Sequence, residues 1–144
     1  MFALLILWLA LSTHAAEGTA KLAPFRSDGC SAFPDGTIKQ QQLWLRCCVE
    51  HDLAYWQGGT YDQRLHADRD LAQCVAATGE AKVAKLMLAG VRVGGSPLWP
   101  TAFRWGYGWP YFRWYGELSA DEYLDIEMQL QQSGLDHYIS PPVD

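Results

Sequence analysis

Basic residues are in short supply in this chain: 11 Lys and Arg stand against 16 Asp and Glu, a formal net charge of −5. That shortage excludes the broad positive face that nucleic acid requires, and it argues against electrostatic docking on anionic lipid. Long apolar runs are missing too. The stretch from Phe2 to Leu11 has ten residues, and a bilayer span needs about 20. Cysteine is scarce but even in number, with four in 144 residues.

Small residues Thr13, Ala15 and Ala16 follow the Phe2–Leu11 run, the layout of a secretory leader cut near residue 16. No Lys or Arg precedes the run, a departure from the usual leader. The expectation is a signal peptide over residues 1–16 and a single domain over residues 17–144, secreted or periplasmic. A domain of that size buries only a small core, so covalent staples help. In an oxidising compartment, four cysteines predict two disulfides.

The richest stretch is CCVEHDLAYW, Cys47 to Trp56. Trp44, Cys47, Cys48, His51, Asp52 and Tyr55 recur at steps of three and four, one face of a helix. That helix is expected from about Ile38 or Gln40 to Trp56. A second is expected from Gln63 to Val75, with Leu65, Asp68, Leu71, Ala72 and Val75 inward. Gly58-Gly59 between them leaves room for an antiparallel hairpin. In such a hairpin, the register that sets Cys47 against Cys74 also brings Asp68 to His51, within about 3 Å along the axis. Adjacent Cys47 and Cys48 are too strained to pair with each other. The register favours Cys47–Cys74, which leaves Cys30–Cys48, each worth roughly 3–4 kcal/mol in the chain-entropy model.

Around the hairpin, residues 17–26 are polar and expected to be extended or loosely docked. Ser27 to Thr37, SDGCSAFPDGT, is turn chemistry throughout. A third helix is expected from Glu80 to Val91, with Val83, Leu86, Met87 and Gly90 on one face. Ser119 and Glu122 form a capping-box signature for a last helix from Ala120 to about Gln132, stopped by Gly134. Between these helices, Phe103, Trp105, Tyr107, Trp109 and Tyr111 alternate strictly, as in a short hairpin or ribbon, while the Gly and Pro around them favour an irregular one. Either these rings cover the helices as core, or some of them, Trp105 and Trp109 included, form a patch that seats on lipid at headgroup level. The fold class is therefore mostly α: a disulfide-stapled antiparallel helical hairpin, a third helix, an irregular or short β aromatic segment, and a C-terminal helix.

CCVEHDLAYW resembles the active-site helix of the secreted phospholipase A2 superfamily, which carries CCxxHDxxY. Asp68 and Cys74 in ADRDLAQC resemble that family's second helix, where a catalytic Asp precedes a Cys by six residues. Asp28-Gly29-Cys30-Ser31, with Pro34-Asp35 following, is similar to the calcium loop of the small bacterial and fungal branch. The likeness covers about residues 28–75. Ser31-Ala32-Phe33 stands where the animal enzymes have a glycine-rich loop, and beyond Val75 nothing family-wide is recognised. The resemblance implies the same cysteine pairing as the helical register.

The resemblance also implies a chemistry. His51 is the general base that takes a proton from water, and Asp68 orients its ring. Tyr55 hydrogen-bonds Asp68. Asp52 is a ligand for Ca²⁺, with Asp28, Gly29, Ser31 and the rest of the 28–33 loop supplying further oxygens. A backbone N–H near Gly29 helps to hold the oxyanion. The implied reaction is calcium-dependent hydrolysis of the sn-2 acyl ester of glycerophospholipids, by a monomer acting at a phospholipid membrane surface or on micelles. Asp70 reads as a solvated charge, and His14, His66 and His137 lie outside the constellation. A zinc site from Cys47, Cys48, His51 and Cys74 competes with the disulfides, and export favours the disulfides. The rival function is a non-catalytic lipid- or protein-binding module that keeps the stapled hairpin.

Overall fold

The computed structural model describes residues 21–135; the expected signal peptide over residues 1–16 and the tail from Asp136 lie outside the described residues. The described chain is mostly helical: α1 (Leu45–Gln57), α2 (Tyr61–Ala77), α3 (Ala81–Gly94) and α4 (Ala120–Gln132). No strand occurs among the described residues, so the aromatic segment takes the irregular of its two expected forms.

α1 begins at Leu45, not at Ile38 or Gln40, and the loop ahead of it explains why. Trp44 donates its backbone N–H to Asp35 O at 3.0 Å and its indole N–H to Pro34 O at 2.6 Å. These bonds fold residues 38–44 into turns against the loop. Ile38 is 98% exposed, so a longer helix would have nothing to bury there. α2 begins at Tyr61, earlier than Gln63, because Thr60 and Gln63 form a capping box that saturates its first turn. α3 continues past Val91 to Gly94. α4 has the expected bounds, with the Ser119–Glu122 capping box in place.

α1 and α2 run antiparallel, and so do α2 and α3. Along α1 and α2, the Cys47–Cys74 bridge, the His51–Asp68 contact and the Arg64–Tyr55 hydrogen bond follow in step. Along α2 and α3, Val75 and Ala84 share a core cluster at one end, and Arg64 donates to Val91 O and Arg92 O at the other. Both expected disulfides are present, with Cα–Cα distances of 5.0 Å for Cys30–Cys48 and 5.7 Å for Cys47–Cys74. They suit an oxidising compartment. Two inner faces differ from expectation. On α2, Arg64 and Ala67 are buried, while Leu65 and Ala72 are only half-buried. On α3, Ala84 and Met87 are buried, and Leu86 is 61% exposed.

α1 is buried on two sides. Cys47 and Cys48 pack with Trp44, Leu71, Val75, Ala84 and Met87. Leu53 and Trp56 pack with Leu22, Trp109, Leu118, Ile126 and Leu130, which seats α4. Each such aliphatic side chain contributes about 1.5–3 kcal/mol. Residues 21–26 are not loosely docked: Leu22 is 2% exposed, and Ala23 donates to Gly108 O at 2.7 Å.

The aromatic segment closes the carboxyl end of α1, where carbonyls have no partner within the helix. Gly106 N–H reaches Tyr55 O at 2.7 Å, and Gly108 N–H reaches Trp56 O at 3.1 Å. The Trp109 indole donates to Gln57 O at 2.7 Å and the Trp105 indole to Gly59 O at 2.9 Å. Trp105 and Trp109 are therefore core, and neither is available as a lipid-facing ring. The exposed rings of the segment are Trp99, Phe103, Tyr111, Phe112 and Trp114.

Candidate functional site

The α1–α2 register places His51 and Asp68 side by side in a buried position. His51 Nε2 lies 3.1 Å from Asp68 Oδ1. A carboxylate only accepts, so Nε2 is the nitrogen that donates to Asp68, and in the neutral imidazole this tautomer leaves the lone pair on Nδ1. Tyr55, one turn after His51, donates to the same Asp68 oxygen at 2.6 Å, and its ring lies 4.2 Å from the imidazole, centroid to centroid. Burial, followed by the charge of Asp68, raises the Tyr55 phenol well above its ordinary value, which keeps it a donor.

Two arginines complete this cluster. Arg92, on α3, places Nε 2.7 Å from Asp68 Oδ2, an ion pair at contact distance rather than an aligned hydrogen bond. Arg64, buried on α2, donates to Tyr55 Oη at 3.1 Å and ties α2 to α3 through Val91 O and Arg92 O. Asp68, on α2, is thus held on Oδ1 from α1 and on Oδ2 from α3. Arg64 had a faint sequence signal, since it sits four residues before Asp68 on the same helix. Arg92 had none, because nothing local relates α3 to His51.

The loop of residues 27–35 is drawn over α1 by Cys30–Cys48 and by Ser27, which donates to Asp52 Oδ2 at 2.6 Å. Gly29 has φ +76 and Ser31 φ +54, a tight path that glycine permits at the first position. The Ser31 hydroxyl donates to Asp28 Oδ1 at 2.9 Å. Two backbone donors here are already engaged: Gly29 N–H with Ser27 Oγ at 3.2 Å, and Cys30 N–H with Asp35 Oδ1 at 2.8 Å. The expected Gly29 oxyanion donor is therefore committed within the loop.

Asp52 is 8% exposed. Burial pushes its carboxyl up to about 7, the neighbouring Asp28 adds to the rise, and the Ser27 hydrogen bond opposes it. The same two carboxylates help burial to raise Tyr107 above its ordinary value. Among the described residues, no three His, Cys, Asp or Glu side chains gather as a metal group. Asp52 and Asp28 are nonetheless neighbouring carboxylates, and carboxylate oxygens are the ligand type calcium accepts. A cation there would relieve the cost of a buried carboxylate charge. Asp52, Asp28, Gly29 and Ser31 are thus together, and His51, Asp68 and Tyr55 form the adjacent cluster. Asp70 stays exposed.

His51 and Asp52 open onto a mostly apolar groove of about 340 Å³, within the usual range for small-molecule sites of roughly 300–1,000 Å³. The 29–33 loop, including Phe33, contributes to one part of its lining. Leu86, Met87, Gly90 and Val91 of α3 contribute to another, together with Phe103. No known protein family, curated protein or solved structure matches this chain.

Proposed function

We propose that this chain is a phospholipase A2-type hydrolase that cleaves the sn-2 acyl ester of glycerophospholipids, giving a lysophospholipid and a fatty acid. The observation that carries the reading is the buried His51–Asp68 pair, 3.1 Å apart, opening beside an acidic loop onto an apolar groove. His51 Nδ1 would take a proton from water as the water oxygen attacks the ester carbonyl. The imidazolium then returns that proton to the departing glycerol oxygen as the acyl C–O bond breaks. Asp68 holds the ring in the needed tautomer and stabilises its positive form. Tyr55 and Arg92 keep Asp68 in place, and the acyl chain lies along the groove. Ca²⁺ held by Asp52, Asp28 and loop carbonyls, including those of Gly29 and Ser31, would supply the positive charge that polarises the carbonyl and stabilises the oxyanion.

The deciding assay is fatty-acid release from mixed liposomes, with and without calcium, for the parent and His51→Gln. Release should require calcium and fall by about 10²–10⁴ in the variant. No phospholipid hydrolysis at millimolar calcium sinks the reading. One observation favours a non-catalytic binding module instead: Ser27 satisfies both Asp52 and Gly29 N–H from within the loop. Calorimetric titration with calcium separates the two, since the hydrolase must bind the ion and the module need not.

The substrate surface would be met by the exposed rings. Trp99 and Phe103 are 51% and 42% exposed, and Tyr111 is joined to Leu98 through a hydrogen bond of 3.2 Å to its carbonyl. Phe103 also lines the groove, so this aromatic surface is continuous with it. For an acidic protein, ring insertion at headgroup level is the favoured docking mode.

A further inference from the structure

Three glycines lie at the end of α3, and packing within the fold explains only one. A Cβ at Gly95 would stand 2.4 Å from the Tyr55 hydroxyl oxygen, so a side chain there would collide with the catalytic cluster. At Gly90 and Gly94 nothing lies within 4 Å of the place a Cβ would take. Neither has positive φ, and both belong to α3, where the backbone accepts any L residue. Glycine inside a helix is destabilising relative to alanine, because it has more conformational freedom to lose on folding. The fold therefore carries a cost at two positions where it gains no turn and no close approach.

What these two positions share is the groove. Leu86, Gly90 and Gly94 are spaced by four residues along one side of α3, and all three line the cavity that opens on His51 and Asp52. Away from His51 and Asp52 the remaining lining, with Phe33, Leu71, Met87 and Phe103, is mostly apolar. Larger residues at 90 or 94 would fill space that the groove now offers to a ligand, next to the reacting groups.

We propose that Gly90 and Gly94 determine the bore of the groove, and so admit an unbranched acyl chain alongside His51. The substrate named here rests on the hydrolase reading above, but the test does not require turnover.

The first arm measures binding of a fluorescent long-chain fatty acid in the His51→Gln background, with Gly90→Leu, Gly94→Leu and the matching alanine variants. Leucine at either position should weaken binding by about tenfold or more, the cost of obstructing an apolar pocket, and alanine should weaken it less. Alanine variants should melt at or above the temperature of the parent. The second arm, in the active protein, compares release from long-chain and short-chain phosphatidylcholine. The long-to-short ratio should fall by about tenfold with leucine, because a short chain occupies less of the groove.

Leucine variants that melt normally and bind the long-chain probe as the parent does overturn the proposal. So does a parent that binds no fatty acid, or an alanine pair that melts well below it. Weakened binding in the leucine variants, with no ester cleaved by any form, supports the groove assignment while removing the hydrolase reading.

Discussion

Arg92 Nε lies 2.7 Å from Asp68 Oδ2, the carboxylate oxygen that His51 and Tyr55 leave free. The third helix therefore reaches the pair that the first two helices build. With Oδ2 pinned by the arginine, Oδ1 is presented to the imidazole, and the carboxylate cannot swing between the two.

Replacing Arg92 with Gln should leave a fully buried carboxylate without its countercharge. Breaking one side of a buried pair costs about 3–5 kcal/mol. The arginine side chain is 36% exposed, so partial screening brings the expected loss to about 2–3 kcal/mol in urea titration. Phospholipid turnover should fall as well, with Arg92→Lys recovering part of it. Unchanged stability and turnover in Arg92→Gln would show the ion pair to be idle.

Tyr55→Phe removes the hydroxyl that donates to Asp68 and accepts from Arg64. The ring still fits its site, but a buried guanidinium N–H loses its acceptor. A loss of about 1–3 kcal/mol is expected, read as a lower denaturant midpoint with an unchanged slope.

Asp52 gives a pH prediction whose sign follows from its burial. Its folded value of about 7 stands above the ordinary carboxylate range, so the native state holds a proton that the unfolded chain releases. In calcium-free buffer, stability should therefore fall as pH rises from about 4 toward 7, by up to about 1.4 kcal/mol per pH unit from this group. Asp52→Asn should remove that slope, gaining on the parent at about pH 8 and not below about pH 4. Calcium needs the ionised carboxylate, so its affinity by calorimetry should weaken below about pH 7 and be lost in the Asn variant.

Vesicle docking should depend on the exposed rings and not on the buried ones. A Trp99→Ala, Trp114→Ala double variant, each ring about half exposed, should fold normally and bind zwitterionic liposomes several-fold more weakly. Trp105→Ala should instead lower the melting temperature, since its indole closes on Gly59 O. Equal liposome binding by the double variant and the parent rules out this docking surface.

The hairpin, its disulfides and the His51–Asp68 contact were legible because helical spacing is a local signal. Cys47, His51 and Tyr55 recur every four residues, and the antiparallel register then selects Cys74 and Asp68 without further information. The start of α1 was not legible, because it depends on Trp44 bonding to Pro34 and Asp35 rather than on propensity. The alternation of rings from Phe103 to Tyr111 promised a ribbon, but the backbone N–H groups of Gly106 and Gly108 go to the carbonyls of α1 instead of a neighbouring strand. Close approach is what Gly108 serves, since a Cβ there would come within 2.6 Å of the Trp56 ring, while Gly106 supplies a positive φ of +73. Leu22 and Arg92 stayed hidden because their burial is set by segments far away along the chain.

Both ends of α1 are fastened by indoles, Trp44 to the loop ahead and Trp105 and Trp109 to the carbonyls behind. A helix without a fraying turn does not melt on its own. Amide exchange at His51 and Asp52 should accordingly keep pace with opening of the entire molecule. Such a protein has no private way to soften the helix that carries His51 and Asp52; adaptation to an occupant is left to the groove walls.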